Sequence, residues 1–409
     1  MRKYIGGVVF IFICASFAWI ILGSVTSLRT HEQDMKLRTA VGKLWGTVQR
    51  QYAPQVYFQT TYERKVTKVV DSKKTVESYT ETVKNPMIFD GSEIDVNLKL
   101  EHRRKGLLWY SIYKVRFHGK YSITNNSKEI QHFIFDYKFP TADGIYDNFA
   151  FAVDGQKLEK IEPVAGTIMT TLHFDPNKTR IVEVSYETQG MDEWWYILGD
   201  GVSHIRNFKL IMSTDFDKVD FSENTIAPTE KAKIDHGWQL VWRYSDLISG
   251  VQIGLVMPQK LNPGPFVSKV TYFAPVSLFL FLFLMFIITA LNEIKVHPMN
   301  YFFIAAAFFS FHLLLSYLAD HLDINLALVI ASVVSIFLVI SYMRLVVGVR
   351  FAFLETGLSQ FVYLVIFSYT FFLEGYTGLA ITVLCIITLF IVMQLTGRVD
   401  WEKQFAKDK

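Results

Sequence analysis

The chain has 409 residues, of which 51% are apolar, 15% are aromatic and 19% are charged, and its formal net charge is +3. A net charge this small, without a basic run or an aromatic-basic RNA motif, gives no indication of a nucleic-acid partner. The low share of charged residues, together with 35 Phe, is typical of a membrane protein.

Six apolar stretches are long enough to cross a bilayer as helices. A helix rises about 1.5 Å per residue and the hydrocarbon core is about 30 Å thick, so about 20 residues are needed. One stretch lies at the N-terminus and five crowd the last third of the chain: residues 4–28, 272–291, 299–319, 324–343, 351–373 and 376–395. The sequence predicts six transmembrane helices, with the last five forming a membrane domain of residues 271–397.

The first stretch combines features of an anchor and of a signal peptide. It starts with Arg2 and Lys3, and the triplet Ser16-Phe17-Ala18 is of a kind that a signal peptidase accepts. Apolar residues continue past the triplet, however, and no charge follows until Arg29, which is longer than the apolar core of a signal peptide. We expect residues 1–28 to be a retained anchor, with a cleaved leader as the alternative.

Lys and Arg are unevenly distributed over the short loops. The loops on the side of the N-terminus carry Lys295, Arg344 and Arg350, whereas residues 320–323 and 374–375 carry none. Short-loop Lys and Arg set the orientation of a membrane protein. We therefore expect both termini, including a tail of residues 398–409, in the cytoplasm, and a domain of residues 29–270 on the opposite side of the membrane.

The outer domain is predicted to open with an amphipathic helix over about residues 32–52. Thr30 with Gln33 fits a capping box at its start. Its apolar residues share one helical face: Leu37, Val41, Leu44, Trp45 and Val48.

After this helix the apolar pattern changes to period two, which is typical of strands with one buried face. The alternation is clearest at residues 94–100, 133–139 and 182–186. Further strand-like runs are residues 56–70, 107–124, 168–174, 205–212, 238–243 and 251–256. The fold class is therefore a polytopic helical membrane protein with a large all-β domain, built as a sandwich of antiparallel sheets, between helices 1 and 2.

No pattern for catalysis, a cofactor or a metal is found in the outer domain. Both cysteines, Cys14 and Cys385, fall within predicted spans, so thiol chemistry outside the membrane is excluded. There is no Gly-x-Ser-x-Gly or His-Glu-x-x-His motif, and no histidine pair has ligand spacing. The densest acidic-aromatic cluster runs from Asp192 and Glu193 to Tyr196. It leaves a glycan-acting enzyme as the weakest of three hypotheses, with core packing as the structural alternative.

Ionisable groups inside spans are costly and therefore suggest function. His312, Ser316 and Asp320 share one face of the third span, and with His321 and Asp323 they are candidates for a polar vestibule. Hydrogen bonding between helices is the structural alternative, and it also accounts for Glu355, Gln360 and Gln394. The residues Ala327, Ala331 and Ser335 predict a ridge for close helix packing.

Seven short motifs resemble those of the bacterial inner-membrane CreD family, in order and in spacing. The motifs are Gly106-Leu107-Leu108-Trp109-Tyr110, Ser249-Gly250-Val251-Gln252-Ile253-Gly254, Leu261-Asn262-Pro263-Gly264-Pro265, Phe273-Ala274-Pro275-Val276-Ser277-Leu278, His297-Pro298-Met299-Asn300-Tyr301, Ser341-Tyr342-Met343-Arg344 and Arg398-Val399-Asp400-Trp401. The chain has Glu402 where the family pattern has an aromatic residue after Asp-Trp. This departure affects only the tail. We interpret His297, Pro298, Tyr301, Arg344, Arg398, Asp400 and Trp401 as topology anchors rather than as a site.

The resemblance implies a protein of the inner membrane of Gram-negative bacteria, with a periplasmic domain. It also implies an association with a two-component system, envelope integrity and the β-lactam response, and it supplies no catalytic residues. The leading hypothesis is a non-enzymatic protein whose partners are the lipid bilayer and an envelope protein or a peptidoglycan-related ligand. The alternative is a transporter or channel for a small solute or ion, with His312 and Asp320 lining the vestibule. The oligomeric state is not predicted.

Overall fold

A computed structural model of the chain describes residues 2–70, 73–159 and 161–397. The chain divides into a helical unit, Met1–Lys36 with Leu261–Lys409, and a β unit, Leu37–Lys260. The predicted tail of residues 398–409, with Arg398, Asp400 and Trp401, lies outside the described residues.

Six helices in the described part of the chain are long and apolar enough to cross a membrane, as predicted. Their bounds are α1 Arg2–Trp45, α2 Pro263–Leu291, α3 Pro298–Leu318, α4 Ile324–Val346, α5 Val349–Phe372 and α6 Thr377–Thr396. Cys14 lies in α1 and Cys385 in α6, and both are free.

Helix α1 corrects the prediction of an anchor followed by a separate helix over about residues 32–52. It is one helix of 44 residues, and the hydroxyl of Thr30 donates to the carbonyl oxygen of Thr26 at 2.9 Å instead of capping a new helix. No glycine or proline interrupts the chain between Leu28 and Val41, so nothing ends the helix there. It ends before Gly46, whose φ of +93° suits glycine.

The second span also begins earlier than predicted, at Pro263 rather than at residue 272, which moves the domain boundary from residue 270 towards Leu261. Asn262 is the residue before the helix, and Pro263 occupies its first turn, where a missing N–H costs nothing. The first turns of α2 carry Lys269, which hid the onset of the span from a search for apolar residues.

The β unit contains fifteen strands in the described ranges, and every predicted run falls on one of them. They are β1 Gln49–Tyr52, β2 Gln55–Val70, β3 Lys73–Met87, β4 Gly91–Lys105, β5 Leu108–Thr124, β6 Gln131–Lys138, β7 Asp147–Val153, β8 Gln156–Lys157, β9 Thr167–Phe174, β10 Thr179–Met191, β11 Glu193–Ile197, β12 Ser203–Thr214, β13 Glu230–Lys233, β14 Trp238–Ser249 and β15 Ile253–Val256. Six strands were not predicted from the sequence: β1, β3, β7, β8, β11 and β13. Several of these are short or, like β3 with its run of Lys, Glu and Thr, lack an apolar face.

The strands form three sheets, in the orders β1-β11-β15, β13-β14-β12-β4-β5-β10-β7-β8 and β3-β2-β6-β9. The expectation of purely antiparallel sheets is wrong at two places, because β4 pairs with β12 and β1 pairs with β11 in parallel. Apolar alternation reports which face of a strand is buried and carries no information on the direction of its neighbour.

One hydrophobic core joins the three sheets. The predicted alternation is confirmed in β4, where Ile94, Val96 and Leu98 are buried, and in β6, where Phe133 and Phe135 are buried. A smaller cluster packs the end of α1, through Val41, onto Leu108, Tyr110, Ile112 and Met191.

Candidate functional site

His312 and Ser316 of the predicted vestibule are buried inside the helical unit. His312 is 1% exposed and lies among the rings of Trp19, Phe308 and Phe311, with ring centroids 5.6, 6.1 and 4.8 Å away. Its Nδ1 has no hydrogen-bond partner in the described residues. The hydroxyl of Ser316 donates to the carbonyl oxygen of Leu313 in its own helix, at 3.1 Å.

Asp320 forms an ion pair that the sequence analysis missed. The guanidinium Nη2 of Arg29, on α1, lies 3.0 Å from Asp320 Oδ2 and donates to the carbonyl oxygen of Ser316 at 3.2 Å. The same guanidinium lies 5.9 Å from the ring centroid of Tyr317. Arg29 is the first charged residue after the apolar stretch of α1. This position was the sequence feature that could have indicated an ion pair with Asp320.

The other two vestibule candidates have separate environments. Asp323 caps α4, because its Oδ1 accepts from the N–H of Asn325 at 2.9 Å. His321 is exposed in the turn between α3 and α4. The structure therefore brings Arg29, Ser316 and Asp320 together, and it places His312 in an aromatic cluster.

A second polar group, on α5, links three helices. The amide Nε2 of Gln360 donates to the hydroxyl of Ser335 on α4 at 2.9 Å, and that hydroxyl donates to the carbonyl oxygen of Ala307 on α3 at 2.6 Å. Ser335 belongs to the predicted small-residue ridge with Ala327 and Ala331, and all three are completely buried. The prediction of a close-packed ridge is confirmed.

Helix α5 contains two π-helical turns, Ala352–Gly357 and Phe361–Ile366. A π turn bonds residue i to i+5, widens the helix and is frequent at functional sites. In the second turn, the carbonyl oxygen of Tyr363 accepts a hydrogen bond from the hydroxyl of Ser277 on α2. The phenol of Tyr363 pairs with the hydroxyl of Thr388 on α6 at 2.7 Å.

The first π turn and the α-helical turn after it hold polar atoms without partners among the described residues. Among the described residues, Glu355 Oε2, Thr356 Oγ1 and Gln360 Oε1 are buried and accept or donate no hydrogen bond. Gln360 and Thr356 are completely buried, whereas the Glu355 side chain as a whole is half-buried. We call these three residues the α5 oxygen cluster.

The predicted anchor residues that the structure describes have structural contacts. His297 caps α3 by accepting from the N–H of Met299 at 3.2 Å, and Pro298 occupies the first turn. Tyr301 is buried, and its hydroxyl lies 3.2 Å from that of Thr289.

Two of the motifs touch each other at this end of the helical unit. The hydroxyl of Tyr342, from the Ser-Tyr-Met-Arg motif, donates to the Asn300 Oδ1 of the His-Pro-Met-Asn-Tyr motif at 2.8 Å. Arg344 lies in the last turn of α4, where a positive charge favours the helix dipole.

The acidic-aromatic cluster of the β unit belongs mainly to the core. Asp192 is nearly buried and forms an ion pair with Arg38. Strand alternation turns Trp194 and Tyr196 inwards, where both are completely shielded, while Glu193 accepts from the indole N–H of Trp195 at 2.8 Å. The contacts of this cluster are those of core packing on β11, the middle strand of its sheet.

The β unit also contains an open groove of about 740 Å³, on the face of the large sheet opposite the core. The strands β4, β5 and β10 form its floor, and the last turn of α1 and the loop before β7 form its walls. The charged and amide side chains that line it are Lys43, Asn97, Lys99, Glu101, Lys114, Arg116, Asp143, Asp147, Glu187 and Gln189.

Ion pairs join four of these eight charged side chains. Lys114 lies 3.2 Å from Glu101, and Arg116 lies 3.0 Å from Glu187. A hydrogen bond from Arg103, supported by Lys114, holds the pKa of Glu101 below its ordinary value, so this carboxyl is ionised at neutral pH. Lys99 lies directly opposite Lys114 in the register of β4 and β5, and like charges in that position are destabilising. Such a local violation is expected where a surface has a function.

Two exposed histidines meet where the sequence suggested no close pair. His132 and His173 are opposite each other in the register of β6 and β9, with ring centroids 4.9 Å apart. Within residues 2–70, 73–159 and 161–397, no three His, Cys, Asp or Glu side chains form a group able to hold a metal ion.

The comparison with protein families confirms the resemblance over the last third of the chain. The family model described as inner membrane protein CreD matches residues 267–402, which run from α2 past the end of α6. This match and the six apolar helices place the chain in a membrane. No curated protein matches the chain significantly.

Solved structures share only weak similarity with the chain. A Legionella pneumophila protein, described provisionally as nutrient binding, is 10% identical, with a TM-score of 0.31 over 58% of this chain and 76% of its own. An M1 zinc metallopeptidase from Deinococcus radiodurans is 12% identical, with a TM-score of 0.23, and the match covers 42% of this chain and 44% of the peptidase. Scores this low carry no functional argument.

Proposed function

Starting from the CreD inner-membrane match of α2 to α6, we propose that this chain is a non-enzymatic envelope protein. The β unit faces the periplasm and binds an envelope component in its charged groove, and both termini lie in the cytoplasm. Its role is to support envelope integrity and the β-lactam response downstream of a two-component system. The proposal takes this role from the family resemblance.

The groove is the observation that carries the binding function. Its volume of about 740 Å³ lies within the range of small-molecule sites, and it is lined by side chains of both signs. The paired charges Lys114–Glu101 and Arg116–Glu187 are held at fixed positions on a sheet, which favours recognition of a ligand that also carries both charges. A peptide of the cell wall, or a charged loop of an envelope protein, has this character.

The non-enzymatic part of the proposal is supported by the state of the acidic residues. Glu101 is ionised and paired, and Asp192 is held by Arg38. Glu101 is therefore not poised to exchange a proton near neutral pH. A double substitution, Asp192→Asn with Glu193→Gln, tests the glycan-enzyme hypothesis. We expect it to complement a deletion strain if the protein accumulates normally.

The orientation is tested with reporter fusions. Alkaline phosphatase fused after Asp200, in the exposed turn before β12, should be active because the enzyme matures only in the periplasm. The same reporter fused after Lys409 should be inactive. An inactive first fusion together with an active second one would overturn the orientation.

The groove is tested by reversing one charge. Lys99→Glu should leave the protein level unchanged, because Lys99 lies on the exposed face and is directly opposite another lysine. It should abolish complementation of the detergent and β-lactam sensitivity of a deletion strain. It should also remove the products formed by a photo-crosslinking residue at position 97.

Lys128→Glu, in an exposed turn away from the groove, is the matched control and should complement fully. Full complementation by Lys99→Glu would show that the groove is not the binding site.

A further inference from the structure

We infer that the α5 oxygen cluster, Glu355, Thr356 and Gln360, binds a small monovalent cation inside the helical unit. The site is distinct from the groove of the β unit and from the His312–Asp320 stripe. It adds to the proposed envelope role an ion-binding activity that this role does not require.

Several buried oxygens without a hydrogen-bond partner in the described residues occur within one short stretch of α5. A buried polar atom without a partner destabilises the fold, and a charged one does so more strongly. Here three such atoms, Glu355 Oε2, Thr356 Oγ1 and Gln360 Oε1, occur within six residues of one helix. A ligand that contacts all three recovers this cost at once.

The second argument is the shape of the helix. In an α-helix residues i and i+5 point in different directions, since a turn takes 3.6 residues. Ala352–Gly357 is π-helical, so a turn takes more residues there, and the directions of Glu355 and Gln360 approach each other. The π turn therefore narrows the sector of α5 over which the three side chains are spread, compared with an uninterrupted α-helix.

The third argument is that the far end of Gln360 is fixed. Its amide nitrogen donates to Ser335 Oγ, which is held in turn by the carbonyl oxygen of Ala307. The nitrogen is therefore committed to α4, and the free oxygen is an acceptor with a defined position. Gly357 keeps α5 close to α4, because a Cβ there would lie 2.9 Å from Ile340 Cδ1.

Charge selects the ligand. Carboxylate, hydroxyl and amide oxygens are ligands for hard cations, and an ionised carboxylate inside a membrane needs a compensating charge. Among the described residues, no Lys or Arg forms an ion pair with Glu355. One carboxylate is neutralised by one positive charge, so a monovalent ion such as Na⁺ fits, whereas a divalent ion leaves a net charge in the membrane interior.

The His312 cluster shows the contrast. Its two unpartnered atoms are Trp19 Nε1, which only donates, and His312 Nδ1. Neither atom is an oxygen and neither belongs to a carboxylate, so the charge argument gives no alkali-cation site there.

The test uses the full chain purified into lipid nanodiscs. Its unfolding midpoint is measured in NaCl, KCl or LiCl against N-methylglucamine chloride at constant ionic strength. At about tenfold its Kd, a bound ion should raise the midpoint by about 4 °C. Equilibrium dialysis with radiolabelled Na⁺ should approach one ion per chain if Na⁺ is the preferred ion.

Three variants assign the effect. Glu355→Gln and Thr356→Val should each remove the cation-dependent shift and weaken binding at least tenfold. Glu374→Gln, which neutralises an exposed acid in the turn after α5, should keep both. Should Glu355→Gln fail to fold, Thr356→Val decides alone, since it preserves the shape of the side chain.

Two results overturn the inference. In the first, the wild type shows the same midpoint in all salts and binds no alkali cation, which means that buried water or a proton satisfies the cluster. In the second, Glu355→Gln or Thr356→Val retains wild-type affinity, which means that any bound ion lies elsewhere.

Discussion

Gln51 of the β unit and Gln360 of the helical unit are both completely buried, and their side chains have different surroundings. Gln51, in β1, accepts from the hydroxyls of Tyr137 and Tyr186 at 2.9 and 2.7 Å. It donates to the carbonyl oxygens of Tyr52 and Lys138 at 2.6 and 3.2 Å. Gln360, in α5, makes one hydrogen bond through its nitrogen and leaves its oxygen unpaired in the described residues.

The difference in hydrogen bonding indicates different roles for Gln51 and Gln360. A buried amide whose hydrogen-bonding capacity is fully used fixes the arrangement of a core, and Gln51 thereby ties two strands of different sheets to β1. An amide with one unpaired atom can still accept or donate a hydrogen bond. Inside a membrane such an unpaired atom lowers stability unless a ligand or another group contacts it. We therefore interpret Gln51 as structural and Gln360 as part of a site.

The packing of the two units differs in the same way. Large aromatic side chains fill the core of the β unit, among them Trp194, Trp242 and Phe117. The helical unit also buries aromatic rings, but it additionally packs helices closely at small residues such as Ala331 and Ser335, because apolar lipid provides no hydrophobic drive between helices. The following predictions test this comparison.

The largest effect is expected from the buried tyrosines of the β unit at alkaline pH. Burial raises the pKa of five phenols above the ordinary value of 10: Tyr113, Tyr121, Tyr137, Tyr186 and Tyr196. The folded state keeps these protons where the unfolded state releases them. Their contribution to stability is therefore complete below pH 10 and is lost as the pH rises. At pH 11 each phenol costs about 1.4 kcal/mol, or roughly 7 kcal/mol in all.

Denaturant unfolding between pH 8 and 11, with phenolate absorbance recorded in parallel, measures this loss. Exposed tyrosines titrate first and serve as an internal control, whereas the phenolate signal of the buried five should appear only with unfolding. Ionisation of all tyrosines in the folded state would contradict the prediction.

The next largest effect is expected from Gln51→Leu. The substitution leaves two buried hydroxyls without their acceptor and two carbonyl oxygens without their donor. Each stranded group costs about 1–3 kcal/mol, so the two hydroxyls alone should lower the free energy of unfolding of the β unit by about 2–6 kcal/mol. Chemical denaturation followed by Trp fluorescence measures the change, and Gln156→Leu, in the exposed edge strand β8, is the control. A cost below 1 kcal/mol would show that the network is not structural.

A smaller effect is expected where α1 and α2 approach each other. A Cβ on Gly264 would collide with the hydroxyl of Thr30 and would lie 2.9 Å from its methyl group. Gly264→Ala should therefore destabilise the helical unit by about 1–3 kcal/mol, as over-packing does. Adding Thr30→Gly to Gly264→Ala should restore part of the lost stability, because it removes the side chain that collides. Thermal unfolding in nanodiscs measures both variants. Gly378→Ala, at an open position in α6, should be neutral or slightly stabilising.

Much of this architecture could be predicted from the sequence, and the failures have identifiable causes. Span length and period-two alternation are local properties, so the six helices and the longest strands were predicted. The continuity of α1 was missed because Thr30 resembles an N-cap, although helix propensity continued through it. The ion pair of Arg29 with Asp320 joins residues far apart in the chain, and its two members were considered separately.

The candidate site was harder to predict than the fold. His312 and Asp320 attracted attention because charge in a span is visible in a sequence. Glu355 and Gln360 were also visible but were assigned to ordinary helix pairing. Nothing in the sequence shows that α5 winds as a π-helix at Ala352–Gly357, or that the oxygen of Gln360 lacks a partner. Such properties depend on the packing of three helices.

The smallest effect is expected from Gln360→Leu. This substitution in the helical unit is compared with Gln51→Leu in the β unit. The substitution removes one hydrogen bond, but Ser335 keeps its bond to the carbonyl oxygen of Ala307, and an unpaired buried oxygen disappears. Replacing a half-satisfied polar group by an apolar one of similar size is often nearly neutral. Without added alkali cation the free energy of unfolding should therefore change by about 1 kcal/mol or less. In NaCl the wild type should gain stability and the variant should not. The loss of stability caused by Gln360→Leu should therefore increase with the NaCl concentration. Thermal unfolding in nanodiscs, with and without Na⁺, measures both. A cost as large as that of Gln51→Leu in the absence of cation would erase the distinction between the two glutamines, because it would make Gln360 a structural residue as well.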